Sequence, residues 1–274
     1  MSELEIIRQT GKNPITRESI LSDLRALGVA KGTTLVVHSS LRSLGWVSGG
    51  AAAVILALEE AVGEEGTLVM PTHSGDYSEP SYWENPPVPD SWQPVIRETM
   101  PAFNRELTPT RGMGVIPETF RKQQGVLRSG HPQGSFAARG RRASWVTTGH
   151  QLDFAFGESS PLARVYDLEG WILLLGVGQE SNTSLHLAEY RAEYAGKEEI
   201  IQAAPVIVAG QRQWMEFREL EENSEQFPEI GRAYAEQGGE YQLGKVGNAE
   251  AFLFPQTDLV DFAVAWLEDN RKTS

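Results

Sequence analysis

The stretch from Trp171 to Tyr194, WILLLGVGQESNTSLHLAEYRAEY, constrains this chain more than any other, because a strand, a glycine turn and a helix must follow one another in it without a gap. Trp171 to Leu175 is an uninterrupted apolar run of strand length, the pattern of a strand covered on both faces in an α/β protein. Gly176 and Gly178 break the run. Asn182, Thr183 and Ser184 carry side chains that accept from the free N–H groups of a new helix, so a helix is predicted to begin there. His186 falls in its first turn, and Glu189, three positions on, shares its face, where a carboxylate can orient an imidazole. A ligand at the carboxyl end of a central strand would meet this pair. By itself a His/Glu pair at this spacing is often an ordinary surface pair, so its neighbours decide.

The neighbouring segments are of the same α/β kind. Thr16 to Leu27 has apolar positions at Ile20, Leu21, Leu24 and Leu27 and reads as an amphipathic helix ended by Gly28. TTLVVHSS (33–40) is a strand closed by His38; the loop LRSLGWVSGG and the helix former AAAVILALEEAVG follow. TLVMPTHS (67–74) is the next strand, ending at His73. Further on, 112–125 predicts a turn into a short helix, RSGHPQGSFAARG (128–140) an extended segment, SWVTTG a strand, QLDFAFG a short helix, and SPLARVYDLEG a helix. The final third predicts a hairpin through Ala209-Gly210-Gln211, then helices over Ile230–Gln237 and Thr257–Asp269. The expected fold is α/β, a mixed, largely parallel central sheet flanked by helices, with a β-hairpin and helical elaboration in the C-terminal third. A single domain over residues 1–274, with its core at about 16–268, is expected.

Between Gly75 and Pro109 seven prolines remove ladder donors too often for a regular strand or a long helix. An irregular loop of that length is expected to cover a site. Asp76, Glu79, Glu84 and Asp90 lie there among Tyr77, Tyr82, Trp83 and Trp92; such interleaving suits a polar, cationic ligand and equally a solvated loop pinned by its aromatics.

Several chemistries are excluded. The chain has no cysteine, so thiolate metal sites, disulfides and a cysteine nucleophile are ruled out. There is no GxSxG elbow, no Walker A loop and no HExxH, and no metal is expected. With 37 Asp and Glu against 24 Lys and Arg, a net charge of −13, neither nucleic acid nor an anionic membrane is the expected partner. A small cationic molecule is admitted, since an acidic cleft would steer it. The amino terminus MSELEIIRQTGK is acidic and polar, unlike a signal peptide, and no apolar run approaches the roughly 20 residues of a membrane span, so a cytoplasmic location is expected. Two loops remain chemically suggestive. HSSLRSLGWVSGG, with its hydroxyls, Arg42 and a glycine pair before a helix, has the composition of a phosphate cradle. RSGHP offers Arg128, Ser129 and His131, again compatible with an anion. Together with a carboxylate-backed histidine, these are the parts of a general base acting on a nucleotide-derived donor.

The ordered blocks VVHSSLRSLGWVSGGA, GTLVMPTHS, PTRGMGVIPETFR, RSGHPQGSFAARG, GESSPLARVYDLEGWILLLGVG and NTSLHLAEYRAEY resemble the aminoglycoside 3-N-acetyltransferase family. The likeness runs from about Thr16 to the carboxyl terminus and is densest between Thr34 and Tyr194. It implies an α/β fold distinct from GNAT acetyltransferases and direct transfer of acetyl from acetyl-coenzyme A to the 3-amino group of 2-deoxystreptamine antibiotics, a resistance-type activity. It implies that His186 is the catalytic base and Glu189 its supporting carboxylate. It further implies that the coenzyme is held by His38, Ser39, Ser40, Leu41 and Ser43 of one block and by Arg128, Ser129 and His131 of another. The amine is then expected against His73, Asp76 and Glu79. A coenzyme-A-dependent acyltransferase acting on a different, non-aminoglycoside amine is the alternative.

Overall fold

Alternating apolar side chains make the central strands cohere from both sides. In the computed structural model, which describes residues 2–271, α1 (Glu3–Thr10) and α2 (Arg17–Leu27) precede β1 (Thr34–Ser39), α3 (Gly50–Val62) and β2 (Thr67–Pro71). Met1 and residues 272–274, which the expected domain bounds include, lie outside the described residues. Next come α4 (Gln93–Thr99), α5 (Val115–Phe120), β3 (Leu127–Arg128), β4 (Phe136–Gly140), α6 (Ala143–Thr147), α7 (Pro161–Asp167) and β5 (Trp171–Leu175). The last part holds α8 (Ser184–Arg191), β6 (Glu199–Val208), β7 (Gln211–Leu220), α9 (Phe227–Glu236), β8 (Gln242–Val246), β9 (Ala249–Pro255) and α10 (Gln256–Asn270).

Seven strands form one mixed sheet in the order β3-β4-β2-β1-β5-β9-β8. β1 runs parallel to both β2 and β5, while the flanks are antiparallel, so the parallel part is confined to the three central strands. Because β2 and β5 lie on opposite sides of β1, the connection reverses direction there, and the carboxyl ends of all three strands open at one edge. That is where an α/β sheet offers a crevice.

The period-2 alternation of the strands divides the core. Leu35, Val37, Leu173 and Leu175 pack on one face with Leu24, Val54 and Leu58 of α2 and α3. Val36, Ile172 and Leu174 pack on the other with Leu162, Leu185, Leu187, Leu259 and Val260 of α7, α8 and α10. Each such side chain is essentially fully buried, which stabilises by about 1.5–3 kcal/mol relative to exposure. α2 begins where the sequence predicts, with Thr16 and Ser19 forming a reciprocal cap, and stops at Gly28, whose φ of +105° a residue with a Cβ rarely adopts.

The structure corrects three expectations. The segment 144–149 is not a strand, since α6 buries Ala143 and Val146 against the sheet. QLDFAFG is not a helix but a run of turns in which Phe154 adopts φ +62°. The proline-rich segment is not irregular throughout; it contains α4 and is hydrogen-bonded to the β6–β7 hairpin through Phe103 N to Pro205 O (2.8 Å) and Arg212 Nε to Met100 O (2.6 Å). β8 and β9, which the sequence reading leaves unassigned, complete one side of the main sheet. Among the described residues no helix is long and apolar enough to cross a membrane.

Candidate active site

His186 projects from the first turn of α8 at the open edge. Gly176 makes the preceding turn possible: its φ is +70°, and a Cβ there would lie 2.5 Å from the Ser43 Cβ. Asn182 Oδ1 accepts from Ser184 N (3.2 Å) and so satisfies one free donor of the new helix. Thr183 is thereby relieved of capping: its hydroxyl makes no cap bond and lies 3.4 Å from His38 Nε2.

The His186 ring is fixed on three sides. Its Nδ1 lies 2.7 Å from Glu189 Oε2, which assigns the proton to Nδ1 and leaves the Nε2 lone pair for chemistry. Phe156 stacks on one face (centroids 5.3 Å, 18°), and Phe227 meets the ring at 4.9 Å and 63°. Only 13% of the side chain is exposed. Burial disfavours the imidazolium, but the carboxylates of Glu222, Glu189 and Glu219 outweigh it and raise the pKa above the ordinary histidine value. Glu222 Oε2 lies 3.9 Å from Nε2. Burial pushes the Glu222 carboxyl up to about 7, and that of Glu219 also upward.

Two cavities meet beside this ring. One, about 600 Å³, runs along the end of β1 and is lined by His38, Ser39, Ser40, Leu41 and Arg42, facing Gly112 to Pro117 and residues of the 177–183 turn. The other, about 430 Å³, holds His186, His73, Gln133, Phe156, Gln202, Glu219 and Glu222. Thr183 borders both. Ser39 Oγ in the first, and His73 Nε2 and Gln202 Oε1 in the second, are buried with no hydrogen-bond partner among the described residues, so each wall presents polar atoms to whatever enters. A cavity of about 680 Å³ at the opposite end of the sheet has several of its charges already joined, as in Arg139–Glu59 and Arg17–Glu60, and lies away from His186.

The structure brings together His186, Glu189, His38 and His73 with Ser39, Ser40 and Leu41. Burial pushes the His38 and His73 imidazoles down to about 3, with a further contribution from His186, so both are neutral near pH 7. Other candidates are engaged elsewhere in the protein. All five guanidinium N–H groups of Arg128 are engaged internally, by the Thr72, Thr108 and Arg105 carbonyls and the Ser74 and Ser135 hydroxyls at 2.6–3.2 Å. Ser129 and His131 are fully buried; Ser129 Oγ bonds the Phe136 N–H and His150, and His131 bonds Gln133 N, Gly134 N and Leu152 O. The polar atoms of these three side chains are thus engaged within the protein. Ser43 ties the first loop to the β5 turn through Gly176 O (2.9 Å). Glu79 is held bidentately by Arg97, and Asp76 sits outside the second cavity beside Arg111 at 3.4 Å.

Sequence reasoning missed Thr183 as a site residue, the Gly112–Pro117 wall, and the acidic pair Glu219 and Glu222. The run EFRELEEN at the end of the hairpin was the available signal for the pair, but nothing local ties it to His186.

Known proteins match over nearly the whole chain. Residues 36–268 match the family described as aminoglycoside 3-N-acetyltransferase. The SPbeta prophage-derived aminoglycoside N(3')-acetyltransferase-like protein YokD of Bacillus subtilis is 50% identical over 94% of this chain and 94% of its own. Of the solved structures, AAC-IIIb in binary complex with CoASH superposes with a TM-score of 0.85 at 32% identity, covering 96% of this chain and 99% of that one. AAC-VIa bound to sisomicin superposes at 0.84 and 30% identity, covering 94% and 99%.

Proposed function

The chain belongs to the aminoglycoside 3-N-acetyltransferase family, and on that premise we propose that it moves an acetyl group from acetyl-coenzyme A directly to an amine of a cationic aminoglycoside, with His186 as general base. The observation that carries this reading is the position of Thr183, shared by two cavities that differ in character, with Nε2 of His186, the ring nitrogen not bonded to Glu189, facing the acidic one. The first cavity suits the donor: Ser39, Ser40 and Leu41, with the Gly112–Pro117 wall opposite, would hold the coenzyme, whose thioester supplies an activated acetyl group. The orphaned Ser39 hydroxyl fits that use. The relative bound to CoASH supports it. The acidic cavity suits a cationic acceptor, as the sisomicin-bound relative does.

The chain's own groups then divide the work. Glu189 keeps the proton on Nδ1; the ammonium gives up one proton to solvent, the neutral nitrogen attacks the thioester carbonyl, and Nε2 takes the second proton, which that nitrogen sheds as the N–C bond forms. The tetrahedral oxyanion adduct then collapses as the C–S bond breaks, and the sulfur leaves as thiolate, reprotonated from the imidazolium. Glu189, Glu219 and Glu222 stabilise that imidazolium as it forms, and the Thr183 hydroxyl meets the developing oxyanion. Phe156 and Phe227 exclude water from the ring.

Incubation with acetyl-coenzyme A and a 2-deoxystreptamine aminoglycoside is expected to release free thiol and give a product acetylated at the 3-amino group. His186→Gln is expected to lower kcat by about 10²- to 10⁴-fold with little change in KM for acetyl-coenzyme A. Thiol release with other amines and none with any aminoglycoside refutes the acceptor; undiminished turnover by His186→Gln refutes the base.

A further inference from the structure

The carboxylate behind His186 is itself held from a distant part of the chain. Glu189 is fully buried, and while its Oε2 meets His186, its Oε1 accepts from Arg271 Nη1 (2.7 Å) and from Asn223 N (3.2 Å). Arg271, just past α10, has 11% of its side chain exposed. Its Nε donates to Gln226 Oε1 (2.7 Å) and its Nη2 to Asn223 O (2.9 Å), and the guanidinium lies over the Tyr194 ring at 4.8 Å. Its backbone is fixed as well, Arg271 N bonding Leu267 O and Ala195 N bonding Arg271 O. A side chain gripped at every nitrogen, and touching the base only through the carboxylate, is in the position of a fixed counter-charge.

We propose that Arg271 is a positioning residue of the acetyl-transfer site, holding the Glu189 carboxylate against His186 Nδ1 and balancing its charge so that the imidazole can release a proton as well as accept one. The inference rests on the reading of His186 as base and adds a group that touches neither substrate.

The electrostatic reasoning gives a sign. His186 is faced by Glu189 from its own helix, Glu219 and Glu222 from the end of β7 and beyond, His38 from β1 and His73 past β2. Arg271 itself faces Glu189 and Tyr194. Both buried histidines are neutral near pH 7, so among the described residues Arg271 is the fixed cation paired with this carboxylate set, through Glu189. Removing it delivers the uncompensated charge of Glu189 to the His186–Glu189 pair, which then keeps its proton to higher pH. The acid limb of kcat/KM should therefore move upward, and kcat should fall because the carboxylate loses a fixed geometry.

The test is Arg271→Gln and Arg271→Lys, read by the pH profile of kcat/KM and by an NMR titration of the His186 ring, assigned by its loss in His186→Gln. For Arg271→Gln the expected result is an upward shift of roughly half to one pH unit in both readouts, with acetyl-coenzyme A KM unchanged. Arg271→Lys, which keeps the charge but not the fork, should leave the titration near that of the parent while kcat falls several-fold. Arg271→Gln with both readouts unmoved, or Arg271→Lys with the parent's kcat, overturns the proposal. Should Arg271→Gln fail to fold, Arg271→Lys decides. The titration needs no turnover: if it moves while His186→Gln stays active, the base reading fails and the charge balance stands.

Discussion

Two segments of this chain each offer a histidine as a candidate for chemistry and do opposite things as structure. RSGHP (128–132) sets His131 two positions after a serine, and SLHLAEY (184–190) sets His186 between two leucines, three positions before Glu189. In the first, His131 and His150 stack at 5.0 Å, and every ring nitrogen is engaged with backbone or with Ser129. Burial, with no carboxylate beside it, pushes His131 down to about 4 and His150 well below its ordinary value. His186 is also buried, yet three carboxylates raise it, and its Nε2 stays unengaged. Burial by itself makes a neutral strut; burial with opposing charge and one free nitrogen makes a base.

The sharpest way to break this contrast is at Arg128, a cation held by carbonyls and hydroxyls and by the Phe103 ring at 5.0 Å, with burial lowering its pKa to about 10. If it is scaffold, Arg128→Gln strands buried acceptors and costs on the order of 3 kcal/mol or more, a drop of many degrees in Tm, while folded protein keeps its affinity for acetyl-coenzyme A. Calorimetry and coenzyme titration separate the outcomes. An unchanged Tm with lost coenzyme affinity would return the segment to the binding site.

The same contrast explains what was legible in the sequence. The His186–Glu189 dyad is local, three residues apart on one helix, and helical spacing alone brings the pair together. The βα units were legible because the apolar runs of β1, β2 and β5 are long enough to be unambiguous. The internal contacts of Arg128 were not legible because composition cannot say whether a guanidinium's donors are already taken. Glu219 and Glu222 were missed because only the return of the hairpin brings them to α8, some 30 positions from Glu189 in the chain. In SWVTTG the β-branched and aromatic residues favour a strand, but burial of Ala143 and Val146 against the sheet overrides that preference.

Acid sharpens the contrast at a smaller scale. A histidine held neutral when folded makes the unfolded state the better proton binder below its ordinary pKa of about 6.5, so stability falls as pH drops from 6.5 toward 4. His131, folded at about 4, should cost about 2 kcal/mol at pH 5, and His38 and His73, at about 3, a similar amount each. Glu222 opposes them: raised to about 7, its carboxyl is strained at neutral pH and relieved on protonation below 7. Denaturant melts at pH 7.5 and 5 should show His131→Gln with the smaller loss between the two. An equal loss in parent and variant would mean that His131 is not neutral in the fold.

The smallest expected effect lies at Glu222 itself. It stands nearer the free nitrogen than any other carboxylate, at 3.9 Å, and after burial it heads the contributions to the His186 shift. Removing its charge should let His186 lose a proton more easily, so the acid limb of kcat/KM in Glu222→Gln should move down by roughly half a pH unit. That is opposite to the direction expected for Arg271→Gln, although both substitutions remove one charge near the same ring. A cationic acceptor meets the same carboxylate, so its KM should rise in Glu222→Gln, and most at low ionic strength. Opposite displacements of one limb by two neutral substitutions would show that net charge around the ring tunes the base, as packing alone cannot; displacements of the same sign would show that packing changes dominate at His186.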